Sequence, residues 1–573
     1  MLRDAPRPKI VPEGGLSRVV GPSDPPLLDE TIPELLARTA MRHPHHEAAV
    51  FSAAGERWTY DQLARRVDRF AAGLLALGLY KGDRVGIWSP NRPEWLIAQF
   101  ATARIGLILV NINPAYRRAE LEYALNKVKA KALIIARRFK SSDYMEMLRD
   151  LAPELDGAPP GRLKSERLPH LRTMIELGGA SPGTYSFDQV MDRGGGGQRT
   201  RLDAISQSLS PHDPINVQFT SGTTGAPKGA TLTHHNIVNN ALFCARAMDF
   251  SEADRLCIPV PLYHCFGMVL GNVSCVTTAS TMVFPGEAFD AEDTLHALDA
   301  ERCTAIHAVP TMFASLVDHP RFRDFDLRQL RTGIMAGAPC PIELMKRVVA
   351  DMHADEITIA YGMTETSPIS FQSDTADPLD KRVTTVGRIH PHVEVKIVGE
   401  DGRTVPVGDQ GELCTRGYSV MRGYWDDPER TAEAIDAAGW MHTGDLATLD
   451  EAGYCNIVGR VKDMLIRGGE NVYPREIEEF LLRHPKVQTV QVFGVPDRRL
   501  GEEICAWIIL QDGRTATEDE IRQFCDGQIA HFKVPRYIRF VADMPMTVTG
   551  KPQKFVMRDR MVGELGLALE KTA

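Results

Sequence analysis

The chain has 573 residues, 43% of them hydrophobic and 25% charged, with a formal net charge of −9 at pH 7. That length exceeds a single hydrophobic core and calls for at least two domains, while the acidic balance argues against a nucleic-acid partner, which would show as a basic face or tail. The ten cysteines contain no C-x-x-C pair, which speaks against a zinc site or a disulfide framework and for a reducing, cytosolic compartment.

In chain order, the N-terminal stretch mixes Asp4 and Glu13 with its arginines and lacks the apolar core of a signal peptide. "DRVGIWSPNRPEWLIAQFATARIGLILVNINP" predicts a strand over 85–88, a helix from about residue 94 and an apolar strand over 107–110, a β-α-β unit. The alternation recurs through "ALIIARR", "STMVF", "CTAIHAVP" and "EITIAYG", so a mostly parallel sheet flanked by helices is expected. The glycine run 194–197 has no strand before it and reads as a solvated loop.

"FTSGTTGAPKGATLTHHN", residues 219–236, follows the strand-like "INVQF" and leads into "HHNIVNNALFCARAM", where Ile237, Leu242 and Ala245 recur at helical spacing and Thr233 is placed to cap. A Gly/Ser/Thr loop between a strand and a helix cradles phosphates, because glycines let the backbone approach and its N–H groups point at the anion. Counting from Gly222, Pro227 stands where a Walker A loop needs Gly and Gly229 where it needs Ser or Thr. The loop is therefore read as a phosphate cradle of another class, against the blander readings of linker or structural turn.

Residues 256–284 contain no Asp, Glu, Lys or Arg, but prolines, glycines and hydroxyl residues interrupt them. They read as buried strand, turn and helix rather than a membrane span. Within them Gly267 and Gly271 either open a helix face or permit tight packing, and His264 in "PLYHCFG" is either a buried core histidine or a functional one. The other histidines show no ligand spacing, and His234 and His235 read as the start of a helix rather than as metal ligands. Further on, "AGAPC" (336–340) is an uncharged turn on which a flat base could lie, "YGMTET" (361–366) offers a ring, hydroxyls and a carboxylate, "HTGDLA" offers Asp445, and "GRVKDMLIRGGE" offers Arg460, Lys462 and Arg467. After about residue 461 the pattern turns to a compact α+β module. It has strands in "VQTVQVFGV" and "CAWIIL" and a helix in "TEDEIRQFCDGQIAHF", opened by a capping box of Thr517 and Glu520. The C-terminal "LEKTA" carries no peroxisomal tripeptide or prenylation box.

Taken together, "FTSGTTGAPKGATLTHHN", "YGMTETSP", "GWMHTGDLATLDEAGYCNIVGRVKDMLIRGGENVYPREIE" and "TVTGKPQK" resemble, in order, the core motifs of the adenylate-forming enzymes, and within them most of all the medium-chain fatty-acyl-CoA synthetases. The resemblance implies an α/β fold: a large N-terminal domain (1–461) with mostly parallel sheets flanked by helices, and a small mobile α+β C-terminal domain (462–573). It implies the reaction ATP + fatty acid + CoA → acyl-CoA + AMP + PPi through an acyl-adenylate, with ATP, Mg²⁺ and coenzyme A.

By the same resemblance, Thr220, Ser221, Gly222, Thr223, Thr224, Gly225 and Lys228 would hold the β- and γ-phosphates. Glu365 would bind Mg²⁺ and Thr364 the α-phosphate. Tyr361 would stack on adenine above the Gly337–Ala338 turn, Asp445 would accept from the ribose hydroxyls and Arg460 would assist. Lys551 would serve adenylation, His264 would lie near the acyl carboxylate, Lys462 would be the hinge, and Gly468 and Gly469 would line the CoA tunnel. The expected partners are these small molecules, with a homodimer and transient membrane-surface contact left open. "HCFGMVLGNV" lacks the acidic anchor that an amino-acid substrate would need. The rival readings are an aryl-acid CoA ligase, a ligase that stops at the adenylate, and a non-enzymatic acyl- or nucleotide-binding protein.

Overall fold

The computed structural model describes residues 10–220, 227–338, 340–467, 470–497, 499–526, 528–547 and 551–567. Packing divides the chain into two units, one dominated by Val20–Glu394 with Thr415–Met441, the other by Val11–Val19, Val395–Cys414 and the chain from His442 onward.

The first unit holds two sheets. In the eight-stranded one, Tyr185–Ser186, Thr173–Leu177, Ala132–Ala136, Arg84–Trp88, Ile108–Asn111 and Pro214–Thr220 run parallel. Lys228–Thr233 and Gly423–Tyr424 then add antiparallel strands at the edge. The run "ALIIA" is buried at every position, as expected of a strand covered on both faces. The nine-stranded sheet has a parallel centre of Glu47–Phe51, Thr281–Phe284, Arg255–Cys257, Ala305–Ala308, Thr332–Ala336 and Glu356–Gly362. Antiparallel Glu56–Thr59 closes one edge, and Ile369–Gln372 with Arg388–Ile389 closes the other.

Helix Tyr60–Ala76 starts at a reciprocal Thr59–Gln62 capping box and buries Leu63, Val67, Phe70 and Leu74. It packs against helices Pro93–Arg104 and Phe187–Arg193. Phe70 stacks on Phe187 with centroids 4.1 Å apart, so Phe70→Ala would cost about 3–5 kcal/mol. Gly73 makes the crossing possible, because a Cβ there would lie 1.9 Å from the Val190 carbonyl oxygen.

The β-α-β unit forms as expected, as Arg84–Trp88, Pro93–Arg104 and Ile108–Asn111. Residues 256–284 fold into short helical turns between strands Arg255–Cys257 and Thr281–Phe284, including a π-helical turn over Met268–Val273. No helix among the described residues is long and apolar enough to cross a membrane. Gly267 and Gly271 serve tight packing, since added Cβ atoms would meet the Pro261 carbonyl oxygen at 2.5 Å and Ile258 at 3.1 Å.

Three local expectations are corrected. The loop in 219–236 does not run straight into a helix: the six-residue strand Lys228–Thr233 intervenes, held between Pro214–Thr220 and Gly423–Tyr424, before helix His234–Ala247 starts with Thr233 as its cap. The glycine run is not wholly a solvated loop. Gly194 is buried so closely that a Cβ there would lie 2.5 Å from that of Ala72, and Gly196–Arg199 form a helical turn. The Thr517 cap forms, but helix Glu518–Cys525 is shorter than read, and the Glu520 carboxylate pairs with Lys486 instead of closing the box.

The second unit carries a sheet of Arg18–Val20, Val393–Val398, Gly411–Gly417, Met441–Leu449 and Cys455–Arg460. A further sheet joins Glu470–Val472, Leu465–Arg467, Gly501–Leu510 and Val487–Asp497, with Tyr537–Phe540 parallel to Gly501–Leu510. Strand alternation sends Ile504, Ala506 and Ile508 into one core with Ile477, Leu481 and Ile521. Cys505 and Trp507 enter another with Met557 and Met561.

Candidate active site

Glycine sets up the first part of the site. A Cβ on Gly362 would lie 1.7 Å from the Pro368 carbonyl oxygen, so only glycine lets the Glu356–Gly362 strand double back onto Ile369–Gln372, with Gly362 opposite Ile369. The reversal winds Thr364–Thr366 into a 3₁₀ turn. Glu365 on that turn is buried, and its Oε1 accepts hydrogen bonds from the Thr220 hydroxyl at 3.1 Å and the Tyr424 hydroxyl at 2.9 Å. Its backbone oxygen accepts from the Met421 amide at 2.9 Å.

The Lys228 ammonium sits over the Tyr424 ring, 4.9 Å from its centroid, so cation, ring, hydroxyl and carboxylate form one connected cluster. Burial, with the Glu365 charge and its hydrogen bond adding to it, pushes the Tyr424 phenol above its usual range, which keeps its proton in place as a donor. Thr220 and Lys228 are ladder partners across the antiparallel pair. Residues 221–226 between them, which include the expected phosphate ligands Ser221, Gly222, Thr223, Thr224 and Gly225, lie outside the described residues. Among the described residues both hydroxyls donate to Oε1, so the carboxylate offers oxygen for a cation. Oxygen donation of this kind suits a hard ion such as Mg²⁺.

Behind this cluster runs a buried polar ladder. The Cys265 thiol donates to Gln218 Oε1 at 3.2 Å, Gln218 Nε2 to Asn216 Oδ1 at 2.9 Å, Asn216 Nδ2 to Asn111 Oδ1 at 3.0 Å, and Asn111 Nδ2 to the Tyr263 carbonyl at 2.8 Å. Burial pushes the Cys265 thiol up to about 12, with the Glu365 charge acting in the same direction and hydrogen bonds to Gln218 and Thr364 opposing it. His264 is half-buried and has a structural duty: its Nδ1 accepts from the Phe266 amide at 3.2 Å at the start of the helical turns.

The adjacent parallel strands Thr332–Ala336 and Glu356–Gly362 pair Ala336 with Ala360, so Gly337 and Tyr361 follow side by side at the carboxyl ends, where open α/β sheets bind ligands. Gly337 has φ +89°, and a Cβ there would meet Val309 at 3.2 Å. Ala338 and Tyr361 are half-buried, with Tyr361 tilted 58° against Phe371 at 6.3 Å.

In the second unit, Asp445 and Arg460 are ladder partners, with Nε 3.3 Å from Oδ1. The Asp445 side chain is 13% exposed and that of Arg460 57%. The Lys551 amide donates to the Thr547 hydroxyl at 2.9 Å, and the Thr547 amide to the Lys551 carbonyl at 2.7 Å, which fixes the backbone that carries the lysine. Arg467 is committed to the fold, its guanidinium forking onto Glu503 at 2.8 and 3.0 Å. Gly468 and Gly469 lie outside the described residues. The structure thus brings Thr220, Lys228, Thr364 and Glu365 together, and adds Tyr424 and Gln218, which sequence reasoning missed. No local pattern marks either; their roles come from ladder neighbours far away in the chain.

Two largely parallel α/β sheets with this cluster at their strand ends define a nucleotide-dependent enzyme of the adenylate-forming class. The chain belongs to the AMP-binding enzyme family, whose profile matches residues 36–425, and the AMP-binding enzyme C-terminal domain matches residues 476–551. It is 47% identical to the mitochondrial medium-chain acyl-CoA ligase ACSF2 of Danio rerio over 563 residues, covering 98% of this chain and 93% of that protein. It is 48% identical to the putative acyl-CoA synthetase YngI of Bacillus subtilis over 545 residues, covering 95% and 99%. Among solved structures, the anthranilate CoA ligase AuaEII in complex with anthranoyl-AMP superposes with a TM-score of 0.83 at 26% identity, covering 95% of this chain and 99% of that one.

Proposed function

We propose that the chain is an AMP-forming acid–thiol ligase that activates medium-chain fatty acids as acyl-adenylates and passes the acyl group to coenzyme A. The observation that carries this reading is the Glu365–Thr220–Tyr424–Lys228 cluster, set in a chain collinear with a ligase named for medium-chain acids. In the first half-reaction a carboxylate oxygen attacks the α-phosphorus of ATP and pyrophosphate leaves. In the second, the CoA sulfur attacks the acyl carbon, AMP leaves and the thiol proton goes to solvent. The first step brings anion to anion, so positioning and charge stabilisation carry the catalysis.

Lys228, with the 221–225 backbone and hydroxyls, holds the departing phosphates. Thr364 contacts the α-phosphate, and Glu365 would hold Mg²⁺, which would neutralise phosphate charge when bound. Tyr361 and the Gly337–Ala338 turn hold adenine, Asp445 takes the ribose hydroxyls with help from Arg460, and His264 orients the acid. Lys551 on the 462–573 domain stabilises the adenylation transition state. Rotation at Lys462 then withdraws it and brings Gly468–Gly469 to the CoA path. All ten cysteines are free thiols, which supports a reducing compartment such as the cytosol.

The test is AMP release with ATP, Mg²⁺ and CoA across saturated acids of increasing length. Each buried methylene contributes about 0.8 kcal/mol until the pocket ends, so a peak at medium chains that requires CoA supports the reading. A peak at benzoate or anthranilate favours the aryl-acid reading, which the superposition on an anthranilate CoA ligase keeps in view. No turnover with any acid overturns both.

A further inference from the structure

Away from this cluster, the first unit gathers a second set of donors. Asp29, His212 and His235 come from three separate segments, and each presents one ligand atom within 4.8 Å of the others. The two imidazoles lie 4.7 Å apart, tilted by 48°. Each segment is pinned by its backbone. The Leu28 amide donates to Asn239 Oδ1 at 2.7 Å and Asn239 Nδ2 returns a hydrogen bond to the Leu28 carbonyl at 2.9 Å, which fixes the neighbour of Asp29. The His212 amide donates to the Ser210 hydroxyl at 3.2 Å, and the His235 amide to the Pro211 carbonyl at 2.7 Å, which ties the two histidine segments together. Asn239 Nδ2 also lies 3.3 Å from His235 Nδ1. A ring nitrogen engaged in this way orients the opposite nitrogen for a metal, as second-sphere partners of ligating histidines do.

His212 and His235 line a cavity of about 610 Å³ with Thr233, Tyr418 and Arg422, which provides an entry path. The neighbouring Asp213 is engaged by Lys81 at 2.7 Å and does not compete. Two imidazole nitrogens and one carboxylate oxygen suit a borderline transition-metal ion, not a hard one such as Mg²⁺, and leave a coordination position for water.

We propose that Asp29, His212 and His235 bind a divalent transition-metal ion of the Zn²⁺ type. The ion fastens the segment around Asp29 to the base of the Pro214–Thr220 strand and the first turn of helix His234–Ala247. That strand ends at Thr220, where the expected phosphate loop begins, so the ion stiffens the foundation of the loop without touching substrate.

The full chain, stripped with a chelator, is titrated with Zn²⁺ against a chromophoric competitor and with Co²⁺ by visible absorption. One ion per chain is expected, with affinity at least about tenfold weaker in His212→Ala and Asp29→Asn and unchanged in His45→Ala. Zn²⁺ should raise the Tm of the unsubstituted protein but not of His212→Ala, a change at an exposed position that leaves the core intact. Equal affinity in His212→Ala overturns the proposal. So does a loss caused instead by Cys414→Ser, which would place the ion on the Glu412–Cys414–His442 trio of the second unit. Absence of stoichiometric binding overturns it as well.

Discussion

The two units hold their charges differently. In the first, Glu365 is buried and accepts two hydroxyls and a backbone amide at its turn. In the second, the Asp445–Arg460 pair leaves the guanidinium 57% exposed, and Lys551 is fixed through its backbone. The lesson is that the first unit holds its carboxylate pre-organised, while the second leaves its guanidinium to solvent. A buried carboxylate needs fixed donors to offset its desolvation, whereas solvent already supports an exposed cation such as the Arg460 guanidinium.

The largest effect that would sharpen this contrast comes from Lys551→Ala. Adenylation, measured by pyrophosphate exchange, should fall by about 10²–10³-fold, the scale of losing one transition-state stabiliser. Conversion of supplied acyl-AMP to thioester should stay nearly intact, and equal loss in both steps would break the idea of a withdrawing cation.

Acid should separate the units next. His234, His307 and His390 of the first unit are held by burial at about 3 against the ordinary 6.5. Their native forms stay neutral while the unfolded chain takes up protons below about pH 6.5, so their contribution is full above that pH and declines as pH falls toward 3. In the second unit burial lowers His484 in the same direction. Hydrogen exchange between pH 7 and 5 should therefore show the first unit loosening more steeply, and parallel loss in both would contradict this.

A smaller effect is expected from Tyr424→Phe. Loss of one hydrogen bond to a charged, buried carboxylate removes about 1.5–3 kcal/mol. Adenylation should therefore drop at least about tenfold, with a raised Mg²⁺ requirement and an unchanged Tm trend with pH. Smallest of all should be Arg460→Gln. An exposed ion pair contributes about 0–1 kcal/mol, so KM for ATP should rise by no more than about fivefold, and a loss as large as that of Tyr424→Phe would erase the distinction between the regions.

Much of this was legible in the chain. Continuous apolar runs such as "ALIIA" announce strands covered on both faces, and Thr220, Lys228, Thr364 and Glu365 stand in motifs whose chemistry can be named from residue types. What stayed hidden depends on distant pairing. "KGATLT" reads as loop because its glycine and its place after a Gly/Ser/Thr run argue against a strand, and it becomes one because Pro214–Thr220 and Gly423–Tyr424 pair with it on either side. Tyr424 gains its role through the same ladder. Glu520 satisfies the capping-box pattern on paper, yet Lys486, on another segment, takes its carboxylate. Asp29, His212 and His235 share no sequence spacing at all, so only the fold assembles them.

The Cys265 thiol has one more consequence. Held at about 12, it is thiolate in only about one molecule in 10⁵ at pH 7, and thiolate is the reactive form. An enzyme that generates an activated acyl group risks acylating itself. On the proposed reading, Cys265, hydrogen-bonded with Thr364, would be too inert to intercept that group, which would be left for the thiol that arrives from solution.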